Sequence, residues 1–531
     1  MRRFLLLFAL CACPVVACVG DSSVVTDGGS DATADVDAAA PETGPDVQST
    51  DGAADVEADA PRPVPKAVGD FDWAAGIDGV GGGPIAYDAQ GNLFFAWQIY
   101  YDVTFNNTTY TDAGTWDAML AKFDPSGKVL WVKQIGGTSS DQILSLATDP
   151  AGDVYATILT QSPTLSFGNN VSYTKVGSNG DGMLVKLKGS DGSGVWLADY
   201  TPPGDNWLAC GQLAYGGGRL GISCWSYAGM ALTKDSDGSP LALACQDCGG
   251  SNPQYNDFYV ASINPANGRA YWGNVIGGDA QTHVTSLGVD SKGAVVLGFN
   301  SFADVVHDPT NSVNWTYTGV KGAIALIVKL ASTNGAGIWF KQFTDGTTNN
   351  NNQTSPGQVA IDSNDDVIFG GQIYGQVPFG ITTLKSAGSY DGFVAKLKGG
   401  FGDVIWAQTV GGTGNDHVAS VGVDAWNEVF VANECISNDA KLGTLPFPAT
   451  NGHEGICFGK LDPSGTALWA TGIVSSSTDI GLWPSAAVAV DPSVGDVTIQ
   501  GGYQGTVDLG DGNPLTNKSA QEIEFVVTHN P

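Results

Sequence analysis

The sequence predicts an all-β fold: a seven-bladed β-propeller of four-stranded antiparallel blades, its ring closed by the N-terminal strand. Three observations lead there. Tryptophan recurs at Trp73, Trp131, Trp196, Trp272, Trp339, Trp406 and Trp469, a spacing of roughly 58 to 76 residues that marks seven repeats. Within a repeat, short runs rich in Val, Ile, Phe and Trp alternate with Gly, Asp and Asn clusters, as in FVAKL, VIWAQTV, VASVGV and EVFVAN after residue 391, and such runs read as strands. The seventh copy stops at EFVVTHNP without a Trp strand, whereas the repeat region opens on FDWAAGI, a Trp strand with no blade before it. The first strand can therefore complete the last blade.

In chain order, residues 1–17 have the layout of a secretory signal: a cationic start at Arg2 and Arg3, then a short apolar run. The run is too short to span a bilayer. VVAC, ending at Cys18, resembles the lipobox of bacterial lipoproteins, which implies cleavage before Cys18 and its acylation. LCAC at Cys13 is a poorer match because Pro14 follows it. By the same resemblance, Val19 after Cys18 favours the outer membrane, on its periplasmic side or at the cell surface. Residues 18–70 form an acidic segment almost without large apolar side chains, too poor in burial to offset chain entropy, and so read as an extended tether. Positions 1–70 carry 12 acidic and 4 basic residues, a net of -8 out of -31, which leaves -23 for the propeller at 71–531. So acidic a chain, with no basic stripe, repels phosphate backbones, and nucleic acid is excluded as a partner.

Each copy from residue 71 onward gives a strand, a tight Asp/Gly hairpin, a second strand, a long connection, a third strand, another tight hairpin and the Trp strand. PIAYDAQGNLFFAW with DAMLAKFDPSGKVLW, and LSLATDPAGDVYATIL with DGMLVKLKGSDGSGVW, are the first two copies. One such sheet cannot cover both its faces, but seven arranged radially cover one another.

The combination of a Trp strand ending in GG, an IAVD-like strand, a GNVYV-like strand and DGFVAKL with a following SG turn resembles the SBBP family of bacterial β-propeller repeats. The resemblance covers the repeat region and is strongest in copies two, five and six. Copy three departs with YGGGR in place of an Asp-headed turn, and copy four has Gly322 where Asp is usual. It implies a seven-bladed fold and secretion, but no single activity.

Alternation of strand direction puts both tight hairpins of a blade on one face and the long connections on the other. The latter run over 100–116, 160–181, 226–256, 300–321, 372–390, 433–454 and 502–521, and long loops on a rigid scaffold are where ligand contacts are expected. Candidate contacts there are Tyr100, Tyr101, Trp116, Trp225, Tyr255 and Trp315, with blade packing as the equal alternative.

Asp88, Asp149, Asp290, Asp362, Asp424 and Asp491 head the first tight hairpins. They are expected to accept backbone N–H bonds as turn residues rather than to ring a metal. Asp117, Asp181, Asp257 and Asp391 enter third strands on the long-loop side, where calcium is a remoter alternative. Among five histidines, His283 and His417 share one repeat position, and no HExxH, GxSxG or strand-to-helix GxGxxG occurs. No catalytic residue, cofactor or metal is expected.

Six cysteines lie beyond the signal region, an even number that suits a secreted chain. If Tyr215 and Arg219 close the YGGGR hairpin, Cys210 stands opposite Cys224 within disulfide reach. Cys435 and Cys457 bracket the long loop of blade six. Cys245 and Cys248 in CQDC form a small local loop, with a redox role as the weaker alternative. The expected function is a monomeric, lipid-anchored envelope module that binds protein or polysaccharide, or serves as a scaffold, through its long-loop face. The alternative is a secreted propeller enzyme acting on polysaccharide or using a quinone cofactor.

Overall fold

A computed structural model describes residues 71–529 apart from 78–80, 176–178, 202–206, 227–228, 245–256, 279–281, 302–304, 308–315, 318–323, 347–351, 451, 475–479, 482–487, 504–505, 508–514 and 517–522. The signal segment, Cys18, the tether, Cys245, Cys248, Tyr255 and Trp315 lie outside the described residues.

The fold is the expected seven-bladed propeller of antiparallel sheets. Blade 1 comprises Gly82–Tyr87, Leu93–Ile99, Asp117–Phe123 and Val129–Ile135, and blade 2 comprises Asp141–Thr148, Val154–Thr160, Asp181–Leu187 and Gly194–Asp199. Blade 3 is Leu208–Gly216, Arg219–Ser226, Asp257–Ile263 and Ala270–Gly278; blade 4 is Thr282–Val289, Val295–Ser301, Ile324–Leu330 and Gly337–Phe343. Gln353–Ile361, Val367–Phe379, Thr382–Leu397 and Val404–Gly411 make blade 5, and Asp416–Val423, Val429–Cys435, Gly455–Leu461 and Ala467–Ile473 make blade 6. In blade 7, Val488–Val490, Val497–Tyr503 and Ile523–His529 are completed by Phe71–Ile77, whose register runs from Phe71 opposite His529 to Ile77 opposite Glu524. First strands pack side by side around the ring, and that of blade 7 meets that of blade 1.

Burial follows from this arrangement. Third strands such as Asp117–Phe123 are covered on both faces and are buried throughout, as interior strands must be. The described core falls into seven clusters, each drawn from two adjacent blades, for example Phe94, Leu120, Ile158 and Val185 between blades 1 and 2. The seventh joins blade 1 to Ala489 of blade 7 and so crosses the closing seam.

The long connections differ from open loops. Each second-to-third connection contains a hairpin of its own, such as Val103–Phe105 with Thr108–Tyr110 and Thr164–Gly168 with Val171–Thr174. In blade 5 the two main strands simply run on past the blade. Asn106 and Asn107 turn the first hairpin in the left-handed region, with φ of 47° and 59°, which asparagine tolerates better than most residues. These hairpins bury apolar faces: Leu165, Phe167 and Tyr173 join one core cluster, and Val377, Phe379 and Leu384 another. Two of them also cover sheet edges, Val305–His307 pairing with the fourth strand of blade 3 and Lys441–Leu442 with that of blade 5. Much of the long-loop face is therefore an outward extension of the core.

Cys210 faces Cys224 across blade 3 and is bonded to it, and Cys435 is bonded to Cys457 across the second and third strands of blade 6.

Candidate functional site

The tight-turn face is occupied by a lattice of structural contacts. The Oδ1 of Asp88 accepts bonds from the backbone N–H of Gln90 and of Asn92 at 3.0 and 2.9 Å, and Asp149, Asp290, Asp362 and Asp424 repeat the pattern. These are turn residues, as their position in the repeat predicts. Their other oxygen has a second partner that the sequence reading missed: a buried lysine of the third strand. Lys122 reaches Asp88 at 2.8 Å, Lys186 reaches Asp149 at 2.9 Å, Lys329 reaches Asp290 at 2.8 Å, Lys396 reaches Asp362 at 2.7 Å and Lys460 reaches Asp424 at 3.2 Å. Burial opposes ionisation of Asp149, but bonds from Lys186 and Tyr155 hold its carboxyl below the ordinary range. The signal was legible, because a charged residue recurring inside an apolar strand (AKF, VKL, VKL, AKL, GKL) needs a buried counter-charge.

Five of the seven repeat tryptophans are tied to the next blade by a hydrogen bond, whereas the indole N–H of Trp469 is buried without a partner among the described residues. The indole N–H of Trp131 donates to Gly189 O at 3.0 Å, Trp196 to Pro265 O at 3.1 Å, Trp272 to Ser332 O at 2.9 Å, Trp339 to Gly399 O at 2.9 Å and Trp406 to Pro463 O at 3.0 Å. Every acceptor lies in the third-to-fourth turn of the following blade. The glycine of that turn is required twice over. At Gly402 φ is +71°, and a Cβ there would lie 2.7 Å from the Trp339 ring.

On the opposite face, buried carboxylates fasten the strand entrances. Asp141 accepts from Gly137 N–H at 2.8 Å and Ser162 Oγ at 2.7 Å, and Asp117 accepts from Ala113 N–H at 3.0 Å and Gln134 Nε2 at 2.6 Å. Tyr173 donates to Asp181. Burial, with Asp416 and Asp439 adding repulsion against backbone bonds, pushes Asp391 up to about 6. Among the described residues no group of three or more His, Cys, Asp or Glu side chains is placed to hold a metal ion. The side chain of Asp257 lies outside those described.

Three of the six candidate aromatics come together. Ile99 pairs with Asp117, so Tyr100, Tyr101 and Trp116 flank one another at the long-loop end of blade 1. The Tyr100 and Tyr101 rings meet edge to face at 5.2 Å. Tyr101 is 38% exposed and Trp116 42% exposed. Trp116 is held from behind, since its carbonyl accepts from Asp141 N–H at 2.8 Å. Trp225 lies elsewhere, in blade 3, where it stacks on Trp207 at 6.4 Å; Trp207 in turn covers Gly180 of blade 2. Packing accounts for Trp225.

One further pair was not singled out beforehand. His417 and Glu434 are cross-strand partners at the long-loop end of blade 6, with Nδ1 and Oε2 4.0 Å apart. Their neighbours Val418 and Asn433 contact blade 5, so by strand alternation the pair faces blade 7. Burial lowers His417 to about 4 and raises Glu434 to about 7, the charge of Glu454 adding to the latter. Both shifts favour the neutral forms of imidazole and carboxyl, although the side chains keep 37% and 31% of their surface exposed. The equivalent second-strand positions in blades 1, 3, 4 and 5 hold Gln98, Trp225, Asn300 and Gln372, so the repeat itself does not call for an acid here.

No family model matches the chain, so its likeness to SBBP repeats rests on the quoted motifs alone. No curated protein matches it either. Among solved structures, quinohemoprotein alcohol dehydrogenase from Comamonas testosteroni aligns over 86% of this chain and 76% of its own at 10% identity and a TM-score of 0.36. A europium-containing methanol dehydrogenase covers 87% and 93% at 12% identity and 0.35. A protein of unknown function from Bacteroides caccae covers 68% and 92% at 10% identity and 0.33. Matches at this level carry no argument about chemistry.

Proposed function

We propose that this chain is an SBBP-like lipoprotein, anchored through acylated Cys18 to the outer membrane of a bacterium, that binds protein or polysaccharide through its long-loop face. The observation that carries the reading is the aromatic patch of exposed Tyr101 and Trp116 with half-buried Tyr100. Five repeat tryptophans are tied to the next blade, whereas Tyr101 and Trp116 present apolar surface to solvent, with the Trp116 backbone held by blade 2. Rigid aromatic anchors give contact area at low entropic cost. The acidic tether between Cys18 and residue 70 supplies reach.

The test is binding of the full chain to purified envelope polysaccharides and envelope proteins, alongside Tyr101→Ala and Trp116→Ala. A loss of more than about tenfold, or about 1.4 kcal/mol, with unchanged thermal stability is expected. Unaltered binding by the double variant would sink the reading, and the mass of the N-terminal peptide checks Cys18. The second reading, an enzyme acting on polysaccharide, is favoured by the His417 and Glu434 pair. Release of reducing ends that disappears in Glu434→Gln would carry it.

A further inference from the structure

The repeat supplies its own control for a buried cation. The third-strand residue directly opposite the blade-closing tryptophan is Lys122, Lys186, Ser262, Lys329, Lys396, Lys460 and Thr528 in blades 1 to 7. In five blades the lysine Nζ lies 2.7 to 3.2 Å from the first-hairpin aspartate. In two of them it also meets a second carboxylate across the same turn, Asp153 at 3.1 Å and Glu428 at 2.5 Å. Blade 3 has lost acid and base together: its hairpin is YGGGR and the lysine is Ser262. Blade 7 has lost the base alone.

In blade 7, Asp491 and Asp496 close the first hairpin as Asp149 and Asp153 do in blade 2, with Asp491 N–H donating to Asp496 O at 2.7 Å. Asp491 Oδ1 takes the usual turn bonds from Ser493 N–H and Oγ at 2.7 and 2.6 Å. Its side chain is buried, only 3% exposed, yet among the described residues no lysine or arginine pairs with it and its Oδ2 accepts no hydrogen bond. Thr528 holds the register position of the lysine, and its hydroxyl belongs to a cluster of three. Thr498 and Thr528 Oγ1 are 2.8 Å apart, and the phenol of Tyr87, reaching over from blade 1, bonds Thr498. Burial raises Tyr87 well above its ordinary range against the bonds from Thr498 and Thr528, and the charges of Asp491 and Asp496 push the same way as burial. Gly91 of blade 1 borders the same space, since a Cβ there would lie 2.6 Å from Asp491 Oδ2.

We propose that the closing seam between blades 7 and 1 binds a monovalent cation of potassium or ammonium size, held by Asp491 and the hydroxyls of Thr498, Thr528 and Tyr87. It takes the place of the lysine ammonium of the five complete blades. A buried carboxylate stripped of its counter-ion is strongly destabilising, and this one sits where the N-terminal strand completes the ring. Hydroxyl and carboxylate oxygens suit a hard cation, and one formal charge restores the neutrality that the lysine gives elsewhere.

The test is thermal unfolding of the full chain in potassium chloride against choline chloride at equal ionic strength, about 0.15 M, choline being a quaternary ammonium that cannot take hydroxyl and carboxylate oxygens as close ligands. The natural protein should show a saturable rise in Tm, about 2 to 3 °C at a hundred times Kd for a chain this long. Asp491→Asn should lose that rise, and Thr528→Lys, which restores the missing ammonium, should be at least as stable in choline as the natural protein is in potassium. Identical melting in both salts would overturn the proposal, as would a full potassium effect persisting in Thr528→Lys. Should Asp491→Asn fail to fold, the Thr528→Lys comparison decides.

Discussion

Replacing Lys329 by methionine probes the energetics of the repeat directly. Its Nζ is 2.8 Å from Asp290, with side-chain exposures of 5% and 3%, and it also donates to Gly399 O of blade 5 at 3.0 Å. Methionine keeps the apolar stem and removes the charge. Asp290 is then left as an uncompensated buried carboxylate, a loss of about 3 to 5 kcal/mol. The carbonyl adds less, because Trp339 still donates to it at 2.9 Å. Lys341 serves as the contrast: its bond to Asp403 is equally short at 2.9 Å, but the side chains are 34% and 74% exposed, and Lys341→Met should cost no more than about 1 kcal/mol. The double variant Asp290→Asn, Lys329→Met should recover most of the loss, since removing both charges is often near neutral. Urea unfolding followed by tryptophan fluorescence is the assay of choice, because a chain of roughly 460 folded residues converts 4 kcal/mol into only about 4 °C of Tm. Equal losses at Lys329 and Lys341, or a double variant as unstable as Lys329→Met, would refute the reasoning.

Two further outcomes are expected. Asp391 titrates at about 6 in the folded state, above its ordinary value of 3.8, so its contribution to stability is present below pH 4 and lost as pH rises through 6. Asp391→Asn should therefore be more stable than the natural protein at pH 7, by up to about 3 kcal/mol, and the gap should close by pH 4; a variant less stable at every pH would show that the carboxylate is needed in its charged form. Deleting residues 71–79 removes the strand that completes blade 7 and should sharply lower the melting temperature, whereas an unchanged melting curve would mean that the ring does not depend on it.

The architecture was legible because it rests on local periodicity. Seven tryptophans, alternating strands and Asp/Gly hairpins are each short-range signals, and the unpaired FDWAAGI strand forecast ring closure from its position alone. The Cys210 to Cys224 bond followed from counting back along two strands of one hairpin. The turn role of the aspartates was legible in the same way, through bonds to residues two and four positions on.

What needed the tertiary structure is whatever joins residues far apart in sequence. The long connections read as open loops, since their turn residues and length give no hint that Leu165, Phe167 and Phe379 fold back onto the blades. The recurring lysine inside an apolar strand calls for a buried counter-charge, but its partner aspartate lies more than thirty residues away and is fixed only where third strand and first hairpin meet. His417 and Glu434 are seventeen residues apart and become partners through strand register. Thr528 and Asp491 look unremarkable until superposing seven blades shows which position has lost its ammonium. Sequence alone thus determined the unit and its number, because turns and strand alternation are encoded locally. Tertiary structure decided which charges are buried together, because desolvation depends on neighbours that only the closed ring supplies.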